Sequence, residues 1–197
     1  AVAVPLPPDS SSETLLPKFK HARSQVMLID AQTHEQALSA ASRCPRIKHI
    51  IGQDVYDGRV MGWRGLLARQ PKVYTPNDCL PSDPALLIWP DVASPDLPAS
   101  AALVMAHHAL VGQLPGFVMA TNWFPAKAKQ LLTTFKPWTD QGLLGAILPA
   151  LYFGHTVVLS DRLPAPAKLP RSVTHLITTG RQLVDTLNTT AQGAPIA

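Results

Sequence analysis

Short apolar runs separated by amphipathic segments constrain this chain more than any other feature. AVAVPL (1–6), QVMLID (25–30) and HIIG (49–52) have strand length and are apolar almost throughout. Such runs suit strands buried on both faces. Between the first two, Ser10 to Ser12 supply N-cap candidates and Glu13 suits a first helical turn. Leu15, Leu16, Phe19 and Ala22 then follow at helical spacing. Between the second and third, Thr33 can cap HEQALSAASR, whose Ala37, Leu38 and Ala41 form an apolar stripe. Strand, helix, strand, helix, strand predicts βαβ units and an α/β fold: a mostly parallel sheet with helices on both faces. A core strand at residue 1 suggests further sequence upstream.

The same reading continues along the chain. Asp57-Gly58 marks a turn, and a short helix is expected around Trp63 to Ala68. PALLIW (84–89) reads as a buried strand, LVMAHHALVGQL (103–114) as a helix ended by Gly112, Pro115 and Gly116. QLLTTF (130–135), TVVLS (156–160) and VTHLIT (173–178) read as strands. Gln141 to Leu151 and Thr179 to Leu187 read as helices. Of the 20 prolines, 11 gather at 5–8, 81–98 and 164–170. Proline lacks an N–H donor and is excluded from helix interiors, so these clusters mark connections. The expected organisation is a single α/β domain over 1–197, with a proline-rich connection at 70–84 between two βα parts.

Composition removes several classes of function. Hydrophobic residues make up 46% and charged residues 15%, which is enough apolar material for a core. The net charge of +4 is spread over scattered lysines and arginines, and aromatics are only 6%, so a nucleic-acid footprint is not expected. No window of eighteen apolar residues suggests a membrane span, and AVAVPLPPDSSS lacks the basic start of a signal peptide. Cys44 and Cys79 stand far apart with no metal-ligand spacing. They read as two isolated buried thiols, which suits a cytoplasmic protein.

In an open parallel sheet, ligands bind beyond the carboxyl ends of strands. The loop after PALLIW is therefore the expected site. A phosphate-gripping loop uses glycines for close backbone approach, hydroxyls as donors and a lysine for charge. Here it reads Pro90-Asp91-Val92-Ala93-Ser94-Pro95-Asp96-Leu97-Pro98-Ala99-Ser100. It holds no glycine and no lysine, two carboxylates that repel phosphate, and three prolines that delete N–H donors. Asp91, Ser94 and Asp96 suit local turns instead. His107 and His108 are adjacent, so they point about 100° apart on a helix and do not form an i, i+4 metal pair. Their plainer reading is the polar edge of a half-buried helix. His34-Glu35 lacks the second histidine of a zinc-protease helix, and no GxSxG elbow occurs. No metal ligand set is expected.

Taken together, AVAVPL with VMLID, PRIKHII with WRGLLAR, DPALLIW, HHALVGQLPGF and the long segment FPAKAKQLLTTFKPWTDQGLLGAILPALYFGHTVVL resemble, in order, the inner part of the large domain of AMP-forming acyl-CoA synthetases. The bacterial acetyl/acyl-CoA synthetase branch of the adenylate-forming superfamily is the nearest in pattern. The resemblance implies an ancestral reaction in which ATP activates a small carboxylic acid to an acyl-adenylate, followed by thioester formation. ATP, Mg and CoA are cofactors of that family; none is expected for this chain alone.

The departures are specific. Where the family has TSGTTGxPKG, this chain has PDVASPDLPAS, and Ala101 falls near the position of the family's lysine. Asp91, Ser94 and Ser100 are then the remnant of a degenerate phosphate loop. Lys129 and Lys136 stand where the family has acidic residues, and Trp138 matches its aromatic position. His107, Trp138 and Gly142 are the implied acyl-pocket wall. The family's first strands, later nucleotide motifs and small C-terminal domain have no counterpart in residues 1–197, which implies the remaining domains of a longer chain as partners. The expectation is a degenerate, pseudoenzyme-like segment inactive on its own. The alternative is a non-catalytic binding or scaffold module that holds a partner or an acyl group.

Overall fold

The computed structural model describes residues 1–90, 102–127 and 130–193. Within them the chain forms two compact units, 6–80 and 81–197 with 1–5.

In the unit spanning 6–80, helix α1 (Ser12–Ala22) begins where the Ser11 hydroxyl accepts the Thr14 N–H at 3.3 Å, and it ends at Arg23 in the left-handed region. Strand β1 (Val26–Asp30) and helix α2 (His34–Ser42) follow, then β2 (His49–Gln53), β3 (Met61–Gly62) and α3 (Trp63–Ala68). The sheet order is β1-β2-β3, parallel throughout. One face packs on the helices: Met27 and Ile29 of β1 meet Leu15, Leu16 and Phe19 of α1 and Ala37, Leu38 and Ala40 of α2. Gly52 is needed here, because a Cβ at that position would lie 2.6 Å from Val60 Cγ1 and 2.9 Å from Val55 Cβ.

In the other unit, β4 (Pro84–Ile88) pairs antiparallel with β5 (Leu103–Ala106). Ala3 forms a parallel bridge to Leu86. Helices α4 (His107–Gly112), α5 (Leu114–Ala120) and α6 (Phe124–Lys127) lead to β6 (Gln130–Thr133). Then come α7 (Asp140–Gly142), a π-helical segment (Leu143–Ile147) and α8 (Leu148–Tyr152), continuous with one another. Strands β7 (Thr156–Leu159) and β8 (Val173–Ile177) flank β6 in a parallel sheet ordered β7-β6-β8, and α9 (Gly180–Gly193) closes the described chain. The core of this sheet centres on Phe124, fully buried, with Leu131, Ala146 and Ala150. Phe117, His155 and His175 pack edge-on against the Phe124 ring, with centroids 5.2, 4.9 and 5.0 Å away.

The α/β class and the dominance of parallel pairing follow the sequence. Several finer expectations do not. AVAVPL contributes one bridge residue instead of a strand. The segment 103–114 opens as strand β5, because Leu103 to Ala106 find backbone partners on β4 that helical periodicity does not register. QVMLID is covered on one face only: Met27 and Ile29 are buried, whereas Val26 and Leu28 are exposed. Cys44 is buried, but Cys79 is exposed, and both are free thiols. Its stretch carries too few apolar neighbours to bury it.

Candidate functional site

The loop after β4, with Asp91, Ser94, Ser100 and Ala101, lies outside the described residues, as does Lys129. In the same unit as β4, the carboxyl edge of the parallel β7-β6-β8 sheet lies within the described residues. Three parallel strands end side by side there, and polar residues follow each: Thr134 and Lys136 after β6, Ser160 to Arg162 after β7, Thr178 and Thr179 after β8. Parallel pairing brings these ends together, and this is the edge at which open α/β sheets hold ligands.

The edge is internally tied. Thr134 and Thr178 hydroxyls share a hydrogen bond of 2.7 Å, and the Thr178 hydroxyl also donates to Gln182 Oε1 at 3.0 Å. The Thr133 hydroxyl accepts the Phe135 N–H at 3.1 Å. Lys136 Nζ donates to the Asp161 carboxylate at 2.5 Å and lies 5.9 Å from the centroid of the Trp138 ring. That lysine holds the Asp161 carboxyl below its ordinary range, first by its hydrogen bond and then by its charge, with Arg162 adding a little. An ionised, lysine-bound carboxylate on the surface is a poor general acid. Next to it an open crevice of about 680 Å³ runs between Arg162, Leu163 and Ala165 on one side and Gln182, Asp185 and Thr186 of α9 on the other.

Trp138 and Gly142 fall in one turn. The Lys136 carbonyl accepts from the Thr139 N–H at 3.1 Å and the Thr139 hydroxyl at 2.8 Å. That hydroxyl in turn caps the helix by accepting the Gly142 N–H at 3.1 Å. Gly142 is buried against backbone: a Cβ there would sit 2.0 Å from the Lys136 oxygen. Its role in the structure is close packing of a turn. Trp138 is half-buried beside Lys136. His107 lies on a different element, the first residue of α4, where its N–H donates to the Asp83 carbonyl at 3.0 Å. His108 is exposed and its Nδ1–H donates to the Pro81 carbonyl at 2.7 Å. Both histidines fasten α4 to the start of β4.

Among the described residues, no group of three or more His, Cys, Asp or Glu side chains is placed to hold a metal ion. Sequence reading passed over the threonine pair and the Lys136–Asp161 bridge. The signal for the threonine pair was the repeated Thr-Thr at the ends of β6 and β8, which only parallel pairing converts into a contact.

No family model and no curated protein matches the sequence. Solved structures do match. The coronafacic acid ligase from Pectobacterium brasiliense aligns over 100% of this chain and 38% of its own, with TM-score 0.74 and 14% identity. The acyl-CoA synthetase of Brucella canis aligns over 96% of this chain and 34% of its own, with TM-score 0.73 and 14% identity. MatB from Rhodopseudomonas palustris, in its apo form, aligns over 95% of this chain and 36% of its own, with TM-score 0.72 and 14% identity. The fold is therefore that of part of these ligases, and the chain spans about a third of their length. Among the described residues, no helix is long and apolar enough to cross a membrane.

Proposed function

We propose that the chain is a segment of an adenylate-forming, acyl-CoA-ligase-like protein that has lost the means to carry out adenylation itself. The supporting observation is the conjunction of a ligase fold with the composition of residues 90–100. Strand β4 ends at Ile88, and the sequence resemblance puts the family's nucleotide loop just after it. The residues that follow offer two carboxylates, three prolines, no glycine and no lysine. Donors of that kind are each worth about 10²–10³-fold in rate, so losing several removes turnover. Residues 1–197 act as a single AMP-binding-like segment, with residues 70–84 as its internal connection, and the remaining domains of a longer chain complete it. The ancestral substrate is a small carboxylic acid. The free thiols Cys44 and Cys79 suit a reducing, cytoplasmic setting.

ATP–pyrophosphate exchange with acetate and longer acids tests this reading. No exchange above a protein-free control is expected, and robust exchange would sink it.

The second reading is a non-catalytic module that holds a partner or an acyl group. Leu151 and Tyr152 support it, being exposed at the end of α8, although Leu143, Leu144, Ala146, Ile147 and Leu148 are half-buried or buried. A thermal-shift screen with acyl-CoAs, ATP and AMP separates the two, since a ligand specific to the native state raises its melting point. A shift with acyl-CoA and none with ATP or AMP favours the second reading.

A further inference from the structure

The crevice between the loop after β7 and helix α9 is lined by charges that the fold leaves unspent. On the loop side, Asp161 is taken by Lys136, and the Ser160 hydroxyl donates to the Arg162 carbonyl at 2.6 Å, which pins the turn. The Arg162 side chain lines the crevice, and among the described residues no protein group accepts a hydrogen bond from it. On the helix side stands Asp185, whose one ion pair among the described residues is with Arg181 Nε at 3.9 Å. Both members of that pair are largely exposed, so it is worth little. Gln182 gives its amide oxygen to the Thr178 hydroxyl at 3.0 Å, which leaves its NH2 group as a donor. The Thr189 hydroxyl donates to the Asp185 carbonyl at 2.7 Å, which leaves its oxygen as an acceptor. Leu163 adds an apolar patch to the loop wall. The volume of about 680 Å³ falls within the range of small-molecule sites.

We propose that this crevice binds a zwitterion of the amino-carboxylate type, with its carboxylate on Arg162 and its ammonium on Asp185. Charge balance decides the class. A simple anion that meets Arg162 also faces the Asp185 carboxylate, and a simple cation meets the reverse. A molecule with one charge of each sign pairs both groups. The guanidinium offers a planar fork that takes a carboxylate through two parallel N–H donors, and the Gln182 NH2 group adds a third. The Asp185 carboxylate and the Thr189 oxygen accept from the ammonium. The two charged groups stand on separate elements, so the distance between the ligand's own charges selects the ligand. The place suits binding, because the crevice opens at the carboxyl ends of β7 and β8. Trp138 and Gly142 are not among the described residues that line it, so it is separate from the acyl-pocket wall that the sequence resemblance implies.

The test is an NMR titration of the isotope-labelled chain with glycine, γ-aminobutyrate and ε-aminocaproate, which separate the two charges by increasing distances. The controls are the carboxylate and the ammonium of matching chain length. At least one zwitterion is expected to shift the amides of 162–165 and 182–189 and the Arg162 Nε–H together. Saturation should fall in the millimolar range, as two charge-assisted contacts in an open site support. Its matched controls should bind at least about tenfold more weakly. Arg162→Gln should weaken the zwitterion at least about fivefold and bring it level with the ammonium control, and Asp185→Asn should bring it level with the carboxylate control. Both positions are exposed, so either variant should move the melting point by less than about 4 °C. No saturable shift from any of the three zwitterions at about 50 mM would overturn the proposal. So would equal binding of the single-charge controls, or variants that leave the affinity unchanged. None of these readouts involves nucleotide, so active adenylation would overturn the functional reading and leave this site standing.

Discussion

Gly142 faces the Lys136 carbonyl so closely that any side chain must displace backbone. Alanine in a helix ordinarily gains up to about 1 kcal/mol over glycine. Here the clash wins, and Gly142→Ala is expected to cost about 1–3 kcal/mol in urea unfolding, the range for overpacking. A stabilised variant would show that the turn opens easily. At Asp57 the prediction concerns charge. Its carboxylate accepts from the Arg59 side chain at 3.0 and 2.9 Å and from the Arg59 N–H at 2.8 Å, which lowers its pKa to about 2. A depressed carboxylate stabilises the fold above its unfolded value, and that contribution is lost as pH falls from near 4 towards 2. An NMR titration should place the Asp57 midpoint near 2, and Arg59→Ala should return it towards the ordinary 3.8. The pair lies at the surface, with the Asp57 side chain half-buried and Arg59 exposed, so added salt should weaken the effect.

At the scale of elements, the βαβ alternation of 12–53 was legible because Leu15, Leu16, Phe19 and then Ala37, Leu38 repeat at helical spacing between compact apolar runs. The short helix Trp63–Ala68 was legible for the same reason. Strand β5 was not. Leu103 to Ala106 are apolar in a row, which fits either a buried helix turn or a strand. Pairing with Ile88 to Pro84 decided it, and a run of local sequence carries no trace of that partner. The π-helical segment at Leu143–Ile147 was equally hidden. The aromatic cluster was legible only as apolar residues. Its geometry joins Phe117 and Phe124 to His155 and His175 from two strand regions. Phe124→Ala should therefore cost about 3–5 kcal/mol, measured by chemical denaturation, as deletion of a fully buried ring does. A loss below about 1 kcal/mol would mean that the histidines collapse into the space.

For the molecule as a whole, the division at residue 80 gives a prediction about cleavage. Residues 71 to 80 are exposed and form no regular element. Brief trypsin digestion should cut first after Arg69 or Lys72, because exposed irregular stretches are preferred sites of nicking. First cuts within 12–53 would contradict the compactness of that unit. The sequence by itself determined the α/β class, the positions of most strands and helices, and the glycine-free, proline-rich composition of residues 90–100. Those properties are local: side-chain periodicity, proline's missing donor and the charge of a carboxylate need no distant partner. Tertiary structure alone decided which strands pair, that Thr134 meets Thr178, that Lys136 meets Asp161, and that Leu28, Ile51 and Met61 line up on an open face. Each of these depends on register between segments far apart in the chain, and register is set by the pairing of whole strands.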